Sequence, residues 1–179
     1  DESGSMCSCD RCTYARSSAI ILYDFCKALH IPVTVYGHST SGSSVELYSY
    51  AEFESIDNDD KYRMMDIAAR GSNRDGAALR FVAEQLVKRP EEVKILILVS
   101  DGQPAAPGYY GSAAEEDLRG IKQEYRRKGV LFIAAAIGED KQNIERIYGD
   151  SFMDITDLNQ LPVKLTAAGQ SQEIACFLW

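Results

Sequence analysis

Residues 93–99 (VKILILV) form an unbroken apolar run after Lys94, with no alternation between polar and apolar positions. A strand that presents apolar side chains on both faces has to be covered on both faces, which a parallel sheet with helices on either side achieves. Residues 130–137 (VLFIAAAI) repeat the pattern. Between and around these runs the apolar spacing changes from continuous to every three or four residues. In residues 13–29, Ala15, Ala19, Leu22, Phe25, Cys26 and Leu29 line one face of a helix. Further helices are expected at 61–69, 76–88 (closed by Pro90), 112–128, 141–148 and 158–168. Short strands are expected at 32–36, 45–53 (at an edge) and 152–155, with the Ser/Gly-rich residues 38–44 as a tight connection. Strands alternating with helices predict an α/β fold of Rossmann-like kind, a doubly wound, mostly parallel sheet with helices on both faces.

The last seven residues, 173–179 (EIACFLW), have no helical period and are apolar on both faces, as a central strand requires. The first five, Asp1-Glu2-Ser3-Gly4-Ser5, are rich in oxygen donors. Read tail to head, a buried strand would empty into a polar loop. Residues 173–179 are therefore expected to be the central strand that precedes Asp1 in space, in a permuted chain order. The alternative is that they form an extra strand and the central one comes from elsewhere.

With 179 residues, 45% of them apolar, residues 1–179 are expected to form a single domain able to bury its own core. The net charge of −8 and pI near 4.8 argue against nucleic acid or an anionic membrane as partner and favour a cation or a basic surface. No stretch reaches the roughly 18 to 20 apolar residues of a membrane span, and no signal segment opens the chain. Five cysteines, three of them at Cys7, Cys9 and Cys12, do not resemble a secreted disulfide framework. A reducing, cytoplasmic compartment is the expectation. The same three cysteines could hold zinc or an iron–sulfur centre, or stand as solvated thiols. Cys26 and Cys176 read as core, and His30 as a helix end.

Open parallel sheets bind ligands beyond the carboxyl ends of their strands. Three polar loops meet that condition: residues 1–5, 71–76 (GSNRDG) and 100–102 (SDG). An Asp-x-Ser-x-Ser loop offers a carboxylate and two hydroxyls, a hard-oxygen set suited to magnesium, manganese or calcium.

The ordered trio DESGS, GSNRDGAAL and ILILVSDG resembles the von Willebrand factor A domain, the fold of integrin inserted domains, with its metal-ion-dependent adhesion site. The longer run through NRDGAAL, KRPEE and ILILVSDGQP is similar to the subgroup that accompanies cobaltochelatases and activators of nitric oxide reductase. The resemblance implies Asp1, Ser3, Ser5 and Asp101 as metal ligands. It puts Asn73 where the family has a ligating threonine, with Asp75 behind it or as the alternative ligand. Two carboxylates would leave the ion able to accept a partner's Asp or Glu, whereas three would over-neutralise it. The implied cation is Mg2+ foremost, with Mn2+ or Ca2+ as alternatives.

The resemblance further implies a protein–protein interaction module, not an enzyme. It would be an adaptor working with a ring-forming, AAA-type ATPase in metal chelation or metalloenzyme activation. Glu2, His38, Arg74, Gln103, Tyr109 and Tyr110 are expected to face the partner, Glu2 with its side chain turned away from the ion. The alternative is a hydrolase using the same ion to activate water, although no general base stands out in the three loops.

Overall fold

The computed structural model describes residues 1–54, 58–102, 104–137, 141–154 and 174–178. Its elements, in chain order, are α1 (Arg11–Ala28), β1 (Val33–Ser41), β2 (Ser44–Ala51), α2 (Asp60–Met64), α3 (Asp75–Val87), β3 (Val93–Ser100), β4 (Ala105–Ala106), β5 (Tyr109–Tyr110), α4 (Gly111–Arg127), β6 (Val130–Ala136), α5 (Lys141–Tyr148), β7 (Phe152–Asp154) and β8 (Ile174–Leu178). Six strands form one sheet in the order β2-β1-β8-β3-β6-β7. All neighbours are parallel except the β1–β2 hairpin, so β2 is an antiparallel edge.

The tail strand lies mid-sheet, as its two-sided apolar pattern predicts. Cys176 is in register with Val33 of β1 on one side and Ile95 of β3 on the other. Both ladders continue into the first residues of the chain. Leu178 is opposite Ile97, and two positions further along β3 the Asp1 nitrogen donates to the Val99 carbonyl at 3.0 Å. On the β1 side the Glu2 N–H donates to the His38 carbonyl at 2.9 Å. β8 therefore points at Asp1.

Alternation along β3 explains the layering. Ile95, Ile97 and Val99 pack with Leu22, Tyr23 and Cys26 of α1 and with Met64 on one face. Leu96 and Leu98 pack with Leu79, Val82 and Leu86 of α3, Leu118 and Ile121 of α4, and Ile144 and Tyr148 of α5 on the other. β6 divides in the same way, Ile133 and Ala135 to the first cluster, Phe132 and Ala134 to the second. Each such leucine or isoleucine, buried at 0–7% exposure, contributes about 1.5–3 kcal/mol of transfer free energy.

Three boundaries differ from the sequence reading. Residues 38–41 belong to β1, and the turn is confined to Gly42 and Ser43. Serine and threonine there looked like loop composition, but their hydroxyls serve the neighbouring loop, as described below. α2 is one short helix, Asp60–Met64, where residues 61–69 were expected. Residues 104–111 carry the small β4–β5 hairpin, Ala105 opposite Tyr110 and Ala106 opposite Tyr109. The helix expected at 158–168 lies outside the described residues.

Candidate functional site

The carboxyl ends of β8, β1 and β3 set three loops side by side. The first begins at Asp1, whose carboxylate is fixed at both oxygens: Oδ1 accepts the Ser3 N–H at 2.8 Å and Oδ2 accepts the Ser100 hydroxyl at 2.8 Å. The second of these bonds ties the first loop to the end of β3. Residues Gly4–Cys7 then form a single 3-10 turn, which brings the Ser3 and Ser5 hydroxyls to 2.9 Å from each other. Asp1 and Ser3 are buried, while Ser5 is exposed, so the cluster opens to solvent at Ser5.

The second loop is pinned to β1 and to the first loop. Gly71 donates to Ser39 Oγ (2.8 Å) and Ser72 to Thr40 Oγ1 (3.2 Å), while the Ser72 carbonyl accepts Thr40 Oγ1 at 3.1 Å. The Gly4 N–H donates to the Gly71 carbonyl at 2.7 Å. Contact is so close that a Cβ on Gly71 would sit 2.0 Å from the Thr40 carbonyl oxygen, which is why only glycine fits there. After this loop α3 starts at Asp75.

Asp75, His38 and Asp1 form the buried heart of the site. One ligand atom from each lies within 4.8 Å of the others. His38 Nε2 and Asp75 Oδ1 are 2.6 Å apart, with His38 at 0% and Asp75 at 3% exposure. Burial pushes the Asp75 carboxyl up to about 6 and the His38 imidazole well below its ordinary value. Both groups are thus held toward their neutral forms.

Asp101, at the end of β3, is buried and accepts a charge-assisted hydrogen bond from Arg11 at the start of α1, 2.8 Å from Oδ2. Arg11 was not foreseen; it opens α1 six residues past the first loop, a position that carries no motif. Ser100 was also missed as an anchor, although it immediately precedes Asp101 in the SDG run.

Asn73 is buried among backbone and side-chain partners. Its Oδ1 accepts the Ala105 N–H at 2.7 Å and its Nδ2 donates to Asp75 Oδ2 at 3.3 Å. Its oxygen thus secures the β4–β5 hairpin, and Asp75, expected behind Asn73, stands beside Asp1. Arg74 does not pair with Asp75 but donates to the Pro107 carbonyl at 2.6 Å and lies over the Tyr109 ring.

The residues expected to face a partner separate into two sets. Glu2 is 1% exposed and His38 0%, so neither presents a side chain to a partner, which corrects that expectation. The strand alternation that turns Glu2 away from Asp1 carries it into the sheet, where it accepts Tyr50 Oη and Arg70 Nε at 2.7 Å each. The bond to Glu2 raises the Arg70 guanidinium further, and burial raises the Tyr50 phenol. A Cβ on Gly37 would lie 1.7 Å from Glu2 Oε1, so Gly37 is the space Glu2 occupies. His38, on the same strand, points into the site instead of over its rim. Tyr110 is exposed at 68%, Arg74 and Tyr109 are half-buried, and Tyr109 donates to Asp117 Oδ2 at 2.8 Å. Gln103 lies outside the described residues. Cys7 and Cys9 are exposed and Cys12 half-buried; among the described residues they join no cluster of metal-ligating side chains.

A doubly wound sheet with an Asp-x-Ser-x-Ser turn at the end of its central strand, and acidic residues from two further loops beside it, is the arrangement of a von Willebrand factor A domain. Residues 61–168 match the family described as the cobalamin biosynthesis protein CobT VWA domain, and the chain belongs to that family. It is similar to the uncharacterized protein YojO of Bacillus subtilis (strain 168), 24% identical over 167 residues, covering 86% of this chain and 26% of YojO. It is also similar to Protein NorD of Brucella suis biovar 1 (strain 1330) and of Brucella melitensis biotype 1, each 34% identical over 97 residues, covering 52% of this chain and 15% of NorD. The chain thus spans about a quarter or less of the length of these relatives. Among the described residues no helix is long and apolar enough to cross a membrane.

Proposed function

We propose that the site holds a divalent cation, Mg2+, Mn2+ or Ca2+, and that the domain is a metal-dependent docking module whose partner completes the ion's shell with an Asp or Glu. The observation that carries this reading is the convergence of Asp1 and Asp75 from two separate loops, one carboxylate oxygen of each within 4.8 Å of the other, with the Asp101 carboxylate near enough to act on Asp75. The donor set fits a hard cation: carboxylates at Asp1, Asp75 and Asp101, the charge of the last offset by Arg11 so that the ion is not over-neutralised, and adjacent hydroxyls at Ser3 and Ser5. When bound, such an ion supplies a positive centre with an exchangeable coordination position.

The chain's own residues prepare that position. Ser3 N–H and Ser100 Oγ fix the plane of the Asp1 carboxylate, and Arg11 holds Asp101 at the edge of the site. Exposed Ser5 marks the side from which a partner carboxylate arrives, and exposed Tyr110 stands on the hairpin that Asn73 and Arg74 fasten to the second loop. Membership of the CobT VWA family and the likeness to NorD support an adaptor role. On that kinship we assign the partner to the ring-forming AAA-type ATPases and the location to the cytoplasm. We read the domain as non-enzymatic: the imidazole beside the carboxylates, His38, is 0% exposed and cannot reach a water on a bound substrate.

Affinity capture from extract, with and without a chelator, tests the reading. An ATPase subunit captured only when divalent cation is present is the expected result. Capture that is indifferent to the chelator would contradict it.

A further inference from the structure

The sequence placed His38 at the rim as a contact for a partner, yet it is among the most buried polar side chains of the molecule. Its Nε2 lies 2.6 Å from Asp75 Oδ1, and one ligand atom each from His38, Asp75 and Asp1 lies within 4.8 Å of the other two. The backbone brings this about deliberately, because His38 accepts the Glu2 N–H at its carbonyl while the neighbouring Ser39 and Thr40 hold the second loop. Strand β1 thus fixes the imidazole, the start of the first loop and the second loop as one unit.

Accepting the cation-binding reading above, we propose that His38 is itself a ligand of that cation, so that the site is a mixed oxygen–nitrogen site selective for Mn2+ or Fe2+ over Mg2+. Two ligand atoms occupying adjacent positions of an octahedral ion, at bonds of about 2.1 Å, stand about 3.0 Å apart. The pair at 2.6 Å has only to open by a few tenths of an ångström for an ion to replace the proton between them. The imidazole tautomer carrying its proton on Nδ1 presents the Nε2 lone pair to the ion, and Asp75 and Asp1 contribute one oxygen each. Carboxylates alone serve Mg2+ and Ca2+ well. An imidazole adds a donor that first-row transition ions bind more strongly than Mg2+ does. Burial at 0–6% exposure for all three residues holds them in a fixed arrangement and keeps water from replacing the nitrogen.

Electron paramagnetic resonance of bound Mn2+ tests this in the unaltered protein. The chain has two histidines, and His30 lies at the far end of α1, exposed. Selective 15N-histidine labelling should therefore change the nitrogen coupling on the Mn2+ signal through His38 alone. A directly coordinated nitrogen is the expected result, and bound Mn2+ without nitrogen coupling would overturn the assignment of His38 while leaving cation binding standing. Absence of any bound Mn2+ would overturn the cation-binding reading and this proposal with it. As a second measurement, His38→Asn should lower the preference for Mn2+ over Mg2+ by about tenfold or more in competition. An unchanged preference in a folded variant would also sink the proposal.

Discussion

Asn73 Oδ1 accepts the Ala105 backbone N–H at 2.7 Å, and through that bond the second loop of the site carries the β4–β5 hairpin. The asparagine's oxygen is occupied by the fold, while Asp75, two residues on, stands with Asp1. In a calorimetric titration with Mg2+ or Mn2+, Asp75→Ala is expected to weaken binding more than Asn73→Ala does. Asn73→Ala should instead loosen the hairpin and cost about 1 kcal/mol of stability, because the Ala105 N–H keeps only its longer bond to the Asn73 backbone carbonyl at 3.3 Å and Asp75 loses the Asn73 Nδ2 donor while keeping His38. The opposite order of affinities would return the direct contact to Asn73.

Gly37 and Glu2 compete for one space. Because a Cβ at Gly37 would lie 1.7 Å from Glu2 Oε1 and 2.9 Å from the Tyr50 ring, Gly37→Ala should destabilise the domain by about 1–3 kcal/mol or more. Shortening Glu2 to Ala removes the obstacle but leaves Tyr50 and Arg70 without their acceptor. The two changes should therefore be strongly non-additive in a double-mutant cycle read by chemical denaturation, the second glycine change costing less in the Glu2→Ala background. Simple additivity would mean that Glu2 moves aside easily.

The layers of the fold were legible because buried parallel strands announce themselves: the runs 93–99, 130–137 and 173–179 are apolar on both faces, and β3, β6 and β8, the three inner strands beyond β1, lie on them. The three loops were legible because Asp1, Ser3, Ser5 and Asp101 follow a fixed spacing relative to strand ends. What could not be read was which way polar side chains on β1 point. His38, Ser39 and Thr40 have loop-like composition, and nothing in the one-dimensional pattern reveals that Asp75 and residues 71–72 receive them. Arg11 escaped for a similar reason. Its bond to Asp101 spans ninety positions of the chain, and only the folded sheet brings the two together.

The end of α1 offers a stability test away from the site. Ile31 N donates to Cys26 O at 2.8 Å and His30 N to Lys27 O at 3.1 Å, the paired bonds of a Schellman turn, with His30 in the left-handed region at φ 56°. Glycine takes that conformation without the Cβ penalty. His30→Gly should raise stability by up to about 1 kcal/mol and the melting temperature by a few degrees. A lower melting temperature would show that the imidazole makes a compensating contact.

The tail strand is the support of the whole site. With Cys176 hydrogen-bonded into ladders with both β1 and β3, deleting residues 173–179 would leave two central strands unpaired. The loss exceeds the roughly 5–15 kcal/mol by which a domain of this size is stable, so the shortened chain should be insoluble or unfolded. A truncated protein that melts cooperatively near the parent temperature would contradict the architecture.

Equilibrium titration of the purified domain tests most directly whether the three loops form one cation site. Calorimetry with Mg2+ and with Mn2+ should give one ion per chain for the wild type and no measurable binding for Asp1→Asn or Asp101→Asn, each variant first shown by circular dichroism to keep its fold. Wild-type protein that binds no ion, or folded variants that bind with unchanged affinity, would contradict it.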